Sequence, residues 1–543
     1  MRKLYVGAMC VALSACQLTA RQDEPDTLEQ AQAELSSNTE SAAGSLELAA
    51  APEQLPAEAE LNQAALEQVE PEQPEPLTPQ QVDDLWERID MQLSLEVPLE
   101  QKSLQSQLNW YLRHPDYMRR VSQRAEPYLY FIIDEIEKRD MPLELALLPI
   151  VESAFQPFAY SHGRAAGLWQ IIPGTGRRFG LEQNWWYDGR RDVYASTIAA
   201  LDYLEYLNRF FDGDWTHAIA AYNSGEGRVR NAIRANKRAN KPTDFWSLSL
   251  PRETSAYLPK LLALSHILQN REDYDMEIPQ LANQPYFERV DVGSQIDLAV
   301  AADLAGIELE ELHRLNPGFN RWATAPEGPH FLLLPIEQAE RFEVAVNNMP
   351  KQDRLQWTRY TVVSGDSLST IASRYNTTSG QIRQLNSLSG DTIRIGQALL
   401  IPISSRDSEA YTLSQEQRLA ATQGRNRGAI KLNYTVKSGD SLWEIGRRYK
   451  VSHRQIASWN GMAPGDTLRL GQKLVIWQQT DVPRDQLQTI TYRVRSGDSL
   501  STIAARFKVR ISDLVKWNKL DQNSYLQPGQ RLKLYINVAE VSA

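Results

Sequence analysis

One carboxylate lies inside an otherwise apolar run of residues, at Glu152 within 147–155. If Val151 and Phe155 bury this side chain, its pKa rises because desolvation disfavours the charged form. A carboxyl that stays protonated near neutral pH can act as a general acid. The same run is also compatible with an exposed helical face that leaves Glu152 in solvent. The chemistry available to Glu152 therefore depends on the elements and motifs around it.

Other side chains exclude several kinds of chemistry. Both cysteines, Cys10 and Cys16, lie in the first sixteen residues, so the folded part has no disulfide framework and no cysteine-based zinc site. The seven histidines include no pair at metal-ligand spacing. A P-loop is absent, and Gly174 and Gly176 lack the third glycine of a dinucleotide fingerprint. We therefore expect no metal and no cofactor.

A mainly α-helical domain, which we place at residues 81–275, must position Glu152. Apolar side chains in its first helix are spaced i, i+3, i+4 and i+7, at Val82, Leu85, Trp86 and Ile89. Further helices are predicted over 128–138, 143–155, 195–211, 216–222 and 254–268. Pro149 should kink or restart the helix that carries Glu152, because proline has no backbone N–H.

Three further blocks follow Glu152-Ser153 along this domain. They are SHGRAAGLWQ at 161–170, AYNSG at 221–225 and ETSAY at 253–257. As a set, the blocks resemble the Glu-Ser, Gly-Leu-(Met/Trp)-Gln, Ala-Tyr-Asn and late Tyr motifs of the lysozyme-like domain of lytic transglycosylases. With the repeats described below, the chain resembles the membrane-bound D type of that family. The resemblance covers about 200 of the 543 residues and implies cleavage of peptidoglycan.

The resemblance implies a role for each matching residue. Glu152 would protonate the bridging oxygen and then accept a proton, and Ser153 would help to build the helix end. Ser161 would contact the substrate acetamido group or the acid itself.

The later blocks would supply further substrate contacts. Gln170 and Asn223 would form hydrogen bonds with substrate, and Tyr222 and Tyr257 would line the cleft near the catalytic carboxyl. Trp169 stands where Met is commoner. It would present a flat surface for sugar stacking, or it would pack in the core.

The distribution of acidic residues bears on the mechanism. Classical glycosidases pair the acid with a second carboxylate, about 5–5.5 Å away for retention or about 6.5–9.5 Å away for inversion. No Asp or Glu occurs between Ser153 and Leu181. This absence suits a one-carboxylate mechanism in which the C6 hydroxyl of the sugar attacks the anomeric carbon and leaves a 1,6-anhydro end. Glu182, Asp188 or Asp192 could still fold back, so a hydrolytic mechanism stays open.

The second half of the chain contains three similar segments of about 45 residues, at 359–403, 433–477 and 491–536. Each begins with Tyr-x-Val and Ser-Gly-Asp-Ser-Leu, and it closes with Gly-Gln and an apolar strand. The pattern predicts a small βααβ unit in which the Asp caps the first helix. These segments resemble LysM modules, and we call them the first, second and third module.

The LysM resemblance implies that each module binds N-acetylglucosamine-containing glycans in a groove between its first strand–helix loop and its second helix–strand loop. The implied residues are Gly365, Asp366, Ser367, Leu368 and Asn386; Gly439, Asp440, Ser441, Leu442 and Asn460; and Gly497, Asp498, Ser499, Leu500 and Asn518. Helix capping is the expected main role of the three aspartates.

Residues 286–336 resemble a LysM module more weakly. They contain a Val-Asp-Val-Gly segment, a Leu-rich helical stretch and a Leu-Leu-Leu-Pro strand. Gly293 is not followed by Asp, so glycan binding in this preceding module is doubtful.

The N-terminus has the pattern of a lipoprotein signal peptide over 1–15. A basic head and an uncharged stretch end at Leu13-Ser14-Ala15-Cys16, which resembles the bacterial lipoprotein box. The resemblance implies acyl chains on Cys16, and with Gln17 after the cysteine it also implies the periplasmic face of a Gram-negative outer membrane. Residues 16–80 would form a disordered acidic linker, since they combine high charge with few large apolar groups.

The net charge of −10 is unevenly distributed, with −13 in residues 21–80 and +12 in residues 356–543. A basic third is compatible with nucleic acid. Here the charge lies on segments that resemble sugar-binding modules, where it would favour the anionic stem peptides of peptidoglycan. We therefore expect no nucleic acid partner.

These observations predict a multidomain protein, with a mainly α lysozyme-like domain followed by small α+β modules. The predicted function is a lytic transglycosylase that binds peptidoglycan glycan strands and is anchored by lipid at Cys16. A hydrolytic muramidase and a non-catalytic wall-binding lipoprotein are the alternatives.

Overall fold

The computed structural model of the protein describes residues 77–427, 430–478, 487–507, 509–520 and 526–537. The predicted signal peptide, the lipidated Cys16 and the acidic linker up to residue 76 lie outside these residues. Within the described ranges, no helix has the length and apolar character needed to cross a membrane.

The first folded part is helical, which confirms the predicted class. Its helices are α1 (Leu85–Asp90), α2 (Lys102–Leu112), α3 (Pro115–Glu137), α4 (Leu148–Ser153), α5 (Pro173–Arg178), α6 (Val193–Phe210), α7 (Trp215–Ser224), α8 (Glu226–Arg238) and α9 (Arg252–Gln269). The predicted helices agree with these bounds within a few residues, with two exceptions. Helix α3 begins at Pro115 instead of residue 128, and the first five residues of the predicted helix 143–155 form a 3-10 helix. We call this part the helical domain.

The short helix α4 carries Glu152. It follows a 3-10 turn, Leu143–Leu147, and Pro149 occupies its first turn, where no backbone donor is required. The proline thus restarts the helix. Six residues do not form a stable helix alone. Burial of Leu148 and Ile150 holds α4 in place, since a buried aliphatic side chain contributes about 1.5–3 kcal/mol.

The end of α4 is sharp. Ala154 and Phe155 both take left-handed backbone conformations, with φ of 49° and 56°. Their amides donate to the carbonyls of Ile150 and Pro149, as at other helix ends of this kind, and Phe155 is fully buried. The turn leaves Glu152 in the last turn of the helix, beside the chain that leads into the next loop.

Four βααβ units follow the helical domain, so the predicted module fold is confirmed. The preceding module contains β1 (Phe287–Asp291), α10 (Leu298–Ala305), α11 (Leu309–Leu315) and β2 (Phe331–Pro335), and it is followed by α12 (Ile336–Asn348). The first module contains β3 (Gln356–Thr361), α13 (Leu368–Arg374), α14 (Ser379–Leu385) and β4 (Ala398–Ile403), and it is followed by α15 (Gln415–Gly424).

The last two modules repeat the same order. The second module contains β5 (Ile430–Thr435), α16 (Leu442–Tyr449), α17 (His453–Trp459) and β6 (Lys473–Gln478). The third contains β7 (Leu487–Arg493), α18 (Leu500–Arg506), α19 (Ile511–Asn518) and β8 (Arg531–Asn537). In each module the two strands pair antiparallel in equivalent register, with Tyr360, Tyr434 and Tyr492 opposite Leu399, Leu474 and Leu532.

Candidate functional site

Glu152 meets a tyrosine from the last helix of the helical domain. The Tyr257 hydroxyl donates to Glu152 Oε1 over 2.5 Å. Burial raises the pKa of Glu152 to about 7, while the hydrogen bond from Tyr257 lowers it. The residue keeps part of its surface in contact with solvent. Glu152 is therefore a carboxyl that can hold a proton near neutral pH and that solvent can still reach.

Helix α9 brings two further charges to Glu152. Glu253, Tyr257 and Lys260 are spaced i, i+4 and i+7, so they lie on one face of the helix. The charge of Glu253 raises the pKa of Glu152, and that of Lys260 lowers it. Sequence reasoning assigned no role to Glu253 or Lys260. Their helical spacing from Tyr257 is the signal that could have identified them.

Helix α7 supplies Tyr222 and Asn223. The Tyr222 hydroxyl donates to the carbonyl of Trp169 over 2.8 Å, and burial and then the charge of Glu152 hold its pKa well above the usual value. Asn223 Oδ1 accepts from the Thr254 hydroxyl over 2.8 Å. The structure thus places Tyr222 and Tyr257 near Glu152, while the partners of Asn223 are Thr254 and Glu253 on α9.

Two roles were expected for Trp169, sugar stacking and core packing, and the structure shows that it packs in the core. It is fully buried, and its indole Nε1 donates to Thr197 Oγ1 over 3.0 Å. The stacking role is wrong, because a ring without exposed surface cannot contact a sugar. Neighbouring Gln170 has a φ of 47°, and its Nε2 donates to the carbonyl of Gly167 over 2.9 Å.

Position 167, in the same block, requires glycine because the backbone of Arg190 lies very close to it. A Cβ at this position would lie 2.0 Å from the carbonyl oxygen of Arg190, and the backbone φ is 80°. Any larger residue would push this loop away from the segment that carries Arg190.

The two serines predicted at the site organise backbone. Ser153 Oγ donates to the carbonyl of Leu168 over 2.8 Å, so its proton ties the end of α4 to the following block and is not offered to a ligand. Ser161 Oγ accepts from the amides of Gly163 and Ala165 at 3.2 and 3.0 Å. It thereby shapes the loop that precedes Gly167.

Two of the three later acids that could have provided a second carboxylate have other partners. Asp188 forms two hydrogen bonds with the Arg190 guanidinium, at 2.9 and 2.7 Å. Asp192 is buried and caps α6 by accepting from the amide of Ala195. Glu182 is exposed. The carboxylate that influences Glu152 is Glu253 instead.

The module aspartates do not cap helices, and that prediction is wrong. Ser367, Ser441 and Ser499 are the N-cap residues, each accepting from an amide of the following helix. The aspartate before each serine accepts from a tyrosine hydroxyl and from the amide three residues earlier. For Asp366 these partners are Tyr360 at 2.6 Å and Val363 at 2.9 Å, and Asp440 and Asp498 form the equivalent pairs. These aspartates fix the loop between the first strand and the first helix.

The module asparagines also bind backbone, which corrects their assignment to glycan. Asn460 Nδ2 donates to the carbonyls of Ile456 and Val475, and its Oδ1 accepts from the amide of Val475. Asn386 and Asn518 form the same clamp. Both ends of each amide are therefore used to join the second helix to the last strand.

Leu368, Leu442 and Leu500 are buried in the module cores, with 2%, 3% and 8% of their surface exposed. Since they are buried, they are not part of a glycan surface. Their role is to fill the small core on which the stability of each module depends. The neighbouring Gly365, Gly439 and Gly497 have φ between 84° and 89° and remain exposed together with the N-cap serines. These loop positions are the part of the predicted set that can reach a ligand.

The preceding module has the same clamp. Asn316 Nδ2 donates to the carbonyls of Leu312 and Leu333, and its Oδ1 accepts from the amide of Leu333. Its helix cap Asp297 is fully buried and accepts from the Tyr411 hydroxyl at 2.8 Å, after the end of the first module. The chain that follows the first module thus covers the helix cap of the preceding module, whereas the corresponding N-cap serines of the other three modules are exposed.

A helical domain with a half-buried glutamate that accepts from a tyrosine, followed by βααβ modules, defines a class of protein, and the family comparisons identify it. The transglycosylase SLT domain matches residues 130–245, and the LysM domain matches 360–402, 434–477 and 492–534. The LysM-like domain of lytic transglycosylase MltD matches 286–351. The chain is thus an SLT-domain protein with LysM modules.

A curated relative matches most of the chain. Membrane-bound lytic murein transglycosylase D of Escherichia coli strain K12 is 42% identical over 456 residues, which cover 83% of this chain and 86% of the relative. The chain belongs to the membrane-bound lytic murein transglycosylase D family.

Two other similar proteins share smaller parts. An autolysin of Enterococcus faecalis is 33% identical over 186 residues, which cover 32% of this chain and 24% of the autolysin. The crystal structure of the 70 kDa soluble lytic transglycosylase of Escherichia coli is 21% identical and covers 32% of each chain, with a TM-score of 0.24.

Proposed function

We propose that the protein cleaves the β-1,4 bond between N-acetylmuramic acid and N-acetylglucosamine in peptidoglycan, and that it leaves 1,6-anhydro ends. The observation that carries the proposal is the half-buried Glu152 carboxyl, with a pKa of about 7 and a hydrogen bond from Tyr257. Near neutral pH a large fraction of this carboxyl carries a proton, as a general acid requires.

The proposed reaction uses one carboxyl twice. Glu152 donates its proton to the bridging oxygen as the bond from that oxygen to C1 breaks. The C6 hydroxyl oxygen of the same muramic acid then bonds to C1, and its proton passes to the Glu152 carboxylate. The acid is regenerated, and no water is consumed. Tyr257 stabilises the carboxylate between the two proton transfers, because its hydroxyl donates to Oε1.

A hydrolytic muramidase is the enzymatic alternative, and Glu253 is its candidate second carboxylate. Asp188 and Asp192 are held by Arg190 and by the start of α6, which favours the one-carboxylate reaction. Mass spectrometry of digested sacculi separates the two, since a reducing end is heavier than an anhydro end by one water. Reducing ends as the main product would refute the proposal.

A non-catalytic wall-binding lipoprotein is the second alternative. Glu152→Gln should abolish digestion of sacculi and leave their binding unchanged, because the amide keeps the shape but holds no transferable proton. Glu182→Gln is the matched control, since it neutralises an exposed carboxylate of the same domain. If digestion survives in E152Q, Glu152 is not the acid.

We also propose that the three LysM modules hold the enzyme on glycan strands. Their exposed loops at Gly365, Gly439 and Gly497 support this role, and modules on one chain can bind together more tightly than each does alone. Deletion of 356–543 should weaken sacculus binding. Unchanged binding would remove this role from the modules.

The anchor is proposed from the sequence alone. Cys16 would carry acyl chains that hold the protein on the periplasmic face of the outer membrane, since more than one chain is needed for stable attachment. Labelling with a radioactive fatty acid should mark the wild type and not Cys16→Ser. An equally labelled variant would contradict this assignment.

A further inference from the structure

The loop 157–167 of the helical domain lies next to the catalytic helix. It begins two residues after Phe155 and ends just before Leu168, whose carbonyl accepts from Ser153 at the end of α4. The guanidinium of Arg190 supports it by donating to the carbonyl of Arg164 over 2.6 Å. The loop is therefore fixed relative to Glu152, and whatever binds its outer side is fixed as well.

The second module contacts this loop directly. Arg164 Nε lies 2.6 Å from Asp466 Oδ1, and Arg164 Nη2 donates to the carbonyl of Gly465. Asp466 is itself held in place, because its other carboxylate oxygen accepts from the amide of Ala463 over 2.8 Å. Gly465 and Asp466 belong to the loop 460–472, which joins α17 to β6.

Helix α15 forms a second connection between the same two parts. The Arg418 guanidinium lies over the Phe158 ring of loop 157–167, 4.3 Å from its centre. One turn further along, Gln423 Nε2 donates to Asn460 Oδ1 of the second module over 2.9 Å. The side chain of Leu419 lies beside Gly461 of the same module. The contact therefore does not depend on the Arg164 ion pair alone.

We infer that the second module is an accessory subsite of the catalytic cleft, which holds the same glycan strand that Glu152 cleaves. The inference rests on the proposed function. Loop 460–472 is the second helix–strand loop, one wall of the groove in which LysM modules are expected to bind glycan. Its Leu470 is 76% exposed. This wall is joined through Arg164 to the loop beside Glu152, so a strand in the groove passes close to the cleft.

The consequence is a dependence on strand length. A fragment that fills only the cleft gains nothing from the second module. A long strand can occupy both sites, and the second contact is then made at high effective concentration. The ion pair alone contributes little, because the Arg164 side chain is 42% exposed and solvent screens the attraction. A reversed charge is therefore needed to separate the two parts, since it replaces attraction by repulsion.

The test uses the full chain with Arg164→Glu. Binding is measured in an E152Q background, and cleavage in the active enzyme. The two probes are long glycan strands freed of peptides and a tetrasaccharide fragment of the same polymer. Arg209→Glu is the matched control, since Arg209 is an exposed arginine paired with Glu205 on the same domain at 2.8 Å.

Arg164→Glu should weaken binding of long strands by about tenfold and lower kcat/KM on them to a similar degree, with the tetrasaccharide unaffected. Arg209→Glu should change neither. Equal behaviour of Arg164→Glu and wild type on long strands would overturn the inference. So would an equal loss on both probes, or a gain in rate that shows the module to be obstructing the cleft. Failure of the proposed function is seen separately, as cleavage that persists in E152Q.

Discussion

Glu152→Gln should stabilise the protein at alkaline pH, although it removes the proposed catalytic acid. Burial raises the pKa of Glu152 from 4.5 to about 7 in the folded protein. Below pH 4.5 the carboxyl is protonated in both the folded and the unfolded chain, so it does not affect stability. Between pH 4.5 and 7 the unfolded chain releases the proton first, so the free energy of unfolding falls as pH rises. Above pH 7 the full cost of the buried charge is present.

The size of the effect follows from the pKa difference. At about 1.4 kcal/mol per unit, the difference corresponds to about 3 kcal/mol. Glu152 keeps part of its surface in solvent, which screens some of this, so we expect about 2–3 kcal/mol at pH 8. A glutamine avoids the cost because it stays neutral, and its carbonyl can still accept from Tyr257. For a domain of this size the gain corresponds to roughly 5–10 °C in Tm.

Calorimetry of the full chain from pH 4 to pH 8.5 measures the difference between E152Q and the wild type. The Tm difference should be near zero at pH 4, should open between pH 4.5 and 7, and should then stay constant. E182Q, which removes an exposed carboxylate of the same domain, is the control. A difference between E152Q and wild type that does not change with pH, or a more stable wild type at pH 8, would refute the reasoning.

Three further predictions concern the neighbours of Glu152 and the module clamp. Tyr257→Phe removes the donor that stabilises the Glu152 carboxylate, so the alkaline limb of the kcat/KM profile should move up by about one pH unit. Glu253→Gln should move that limb to lower pH and Lys260→Met to higher pH, because the two charges act in opposite directions on the pKa of Glu152. Shifts of the same sign would contradict this placement of the charges. Asn460→Ala leaves buried backbone groups unpaired and should destabilise the second module by about 3 kcal/mol, measured as earlier exchange of its amide hydrogens. Native-like exchange would show the clamp to be dispensable.

Much of the fold could be read from the sequence because the signals are local. The helix pattern of α6, α7 and α9 follows from the spacing of their apolar residues. The βααβ order of the modules follows from a pattern repeated three times. Pro149 predicted a break in the helix, and a new helix, α4, does begin there.

The module loops show where local reasoning stops. Asp366 and Ser367 are adjacent, and both residue types cap helices well. Ser367 has the extended backbone of an N-cap residue and caps the helix. The carboxylate of Asp366 instead accepts a hydrogen bond from the hydroxyl of Tyr360, six residues earlier. Which of the two residues caps the helix therefore depends on where strand β3 places Tyr360, and the residue pattern alone does not specify that position. Trp169 is similar, because Thr197, the hydrogen-bond partner of its buried indole, lies in α6, far along the chain.

By itself the sequence singled out Glu152 as the candidate acid and determined the class of the domains and the order of the modules, because each of these depends on patterns of neighbouring residues. The tertiary structure decided what makes Glu152 an acid. Its pKa depends on desolvation in the core and on Tyr257, which is 105 residues away, and that pairing exists only once α4 and α9 have packed. Likewise, Arg164 and Asp466 are typical surface charges in the sequence. They become a contact between the cleft and the second module only when chain segments some 300 residues apart meet.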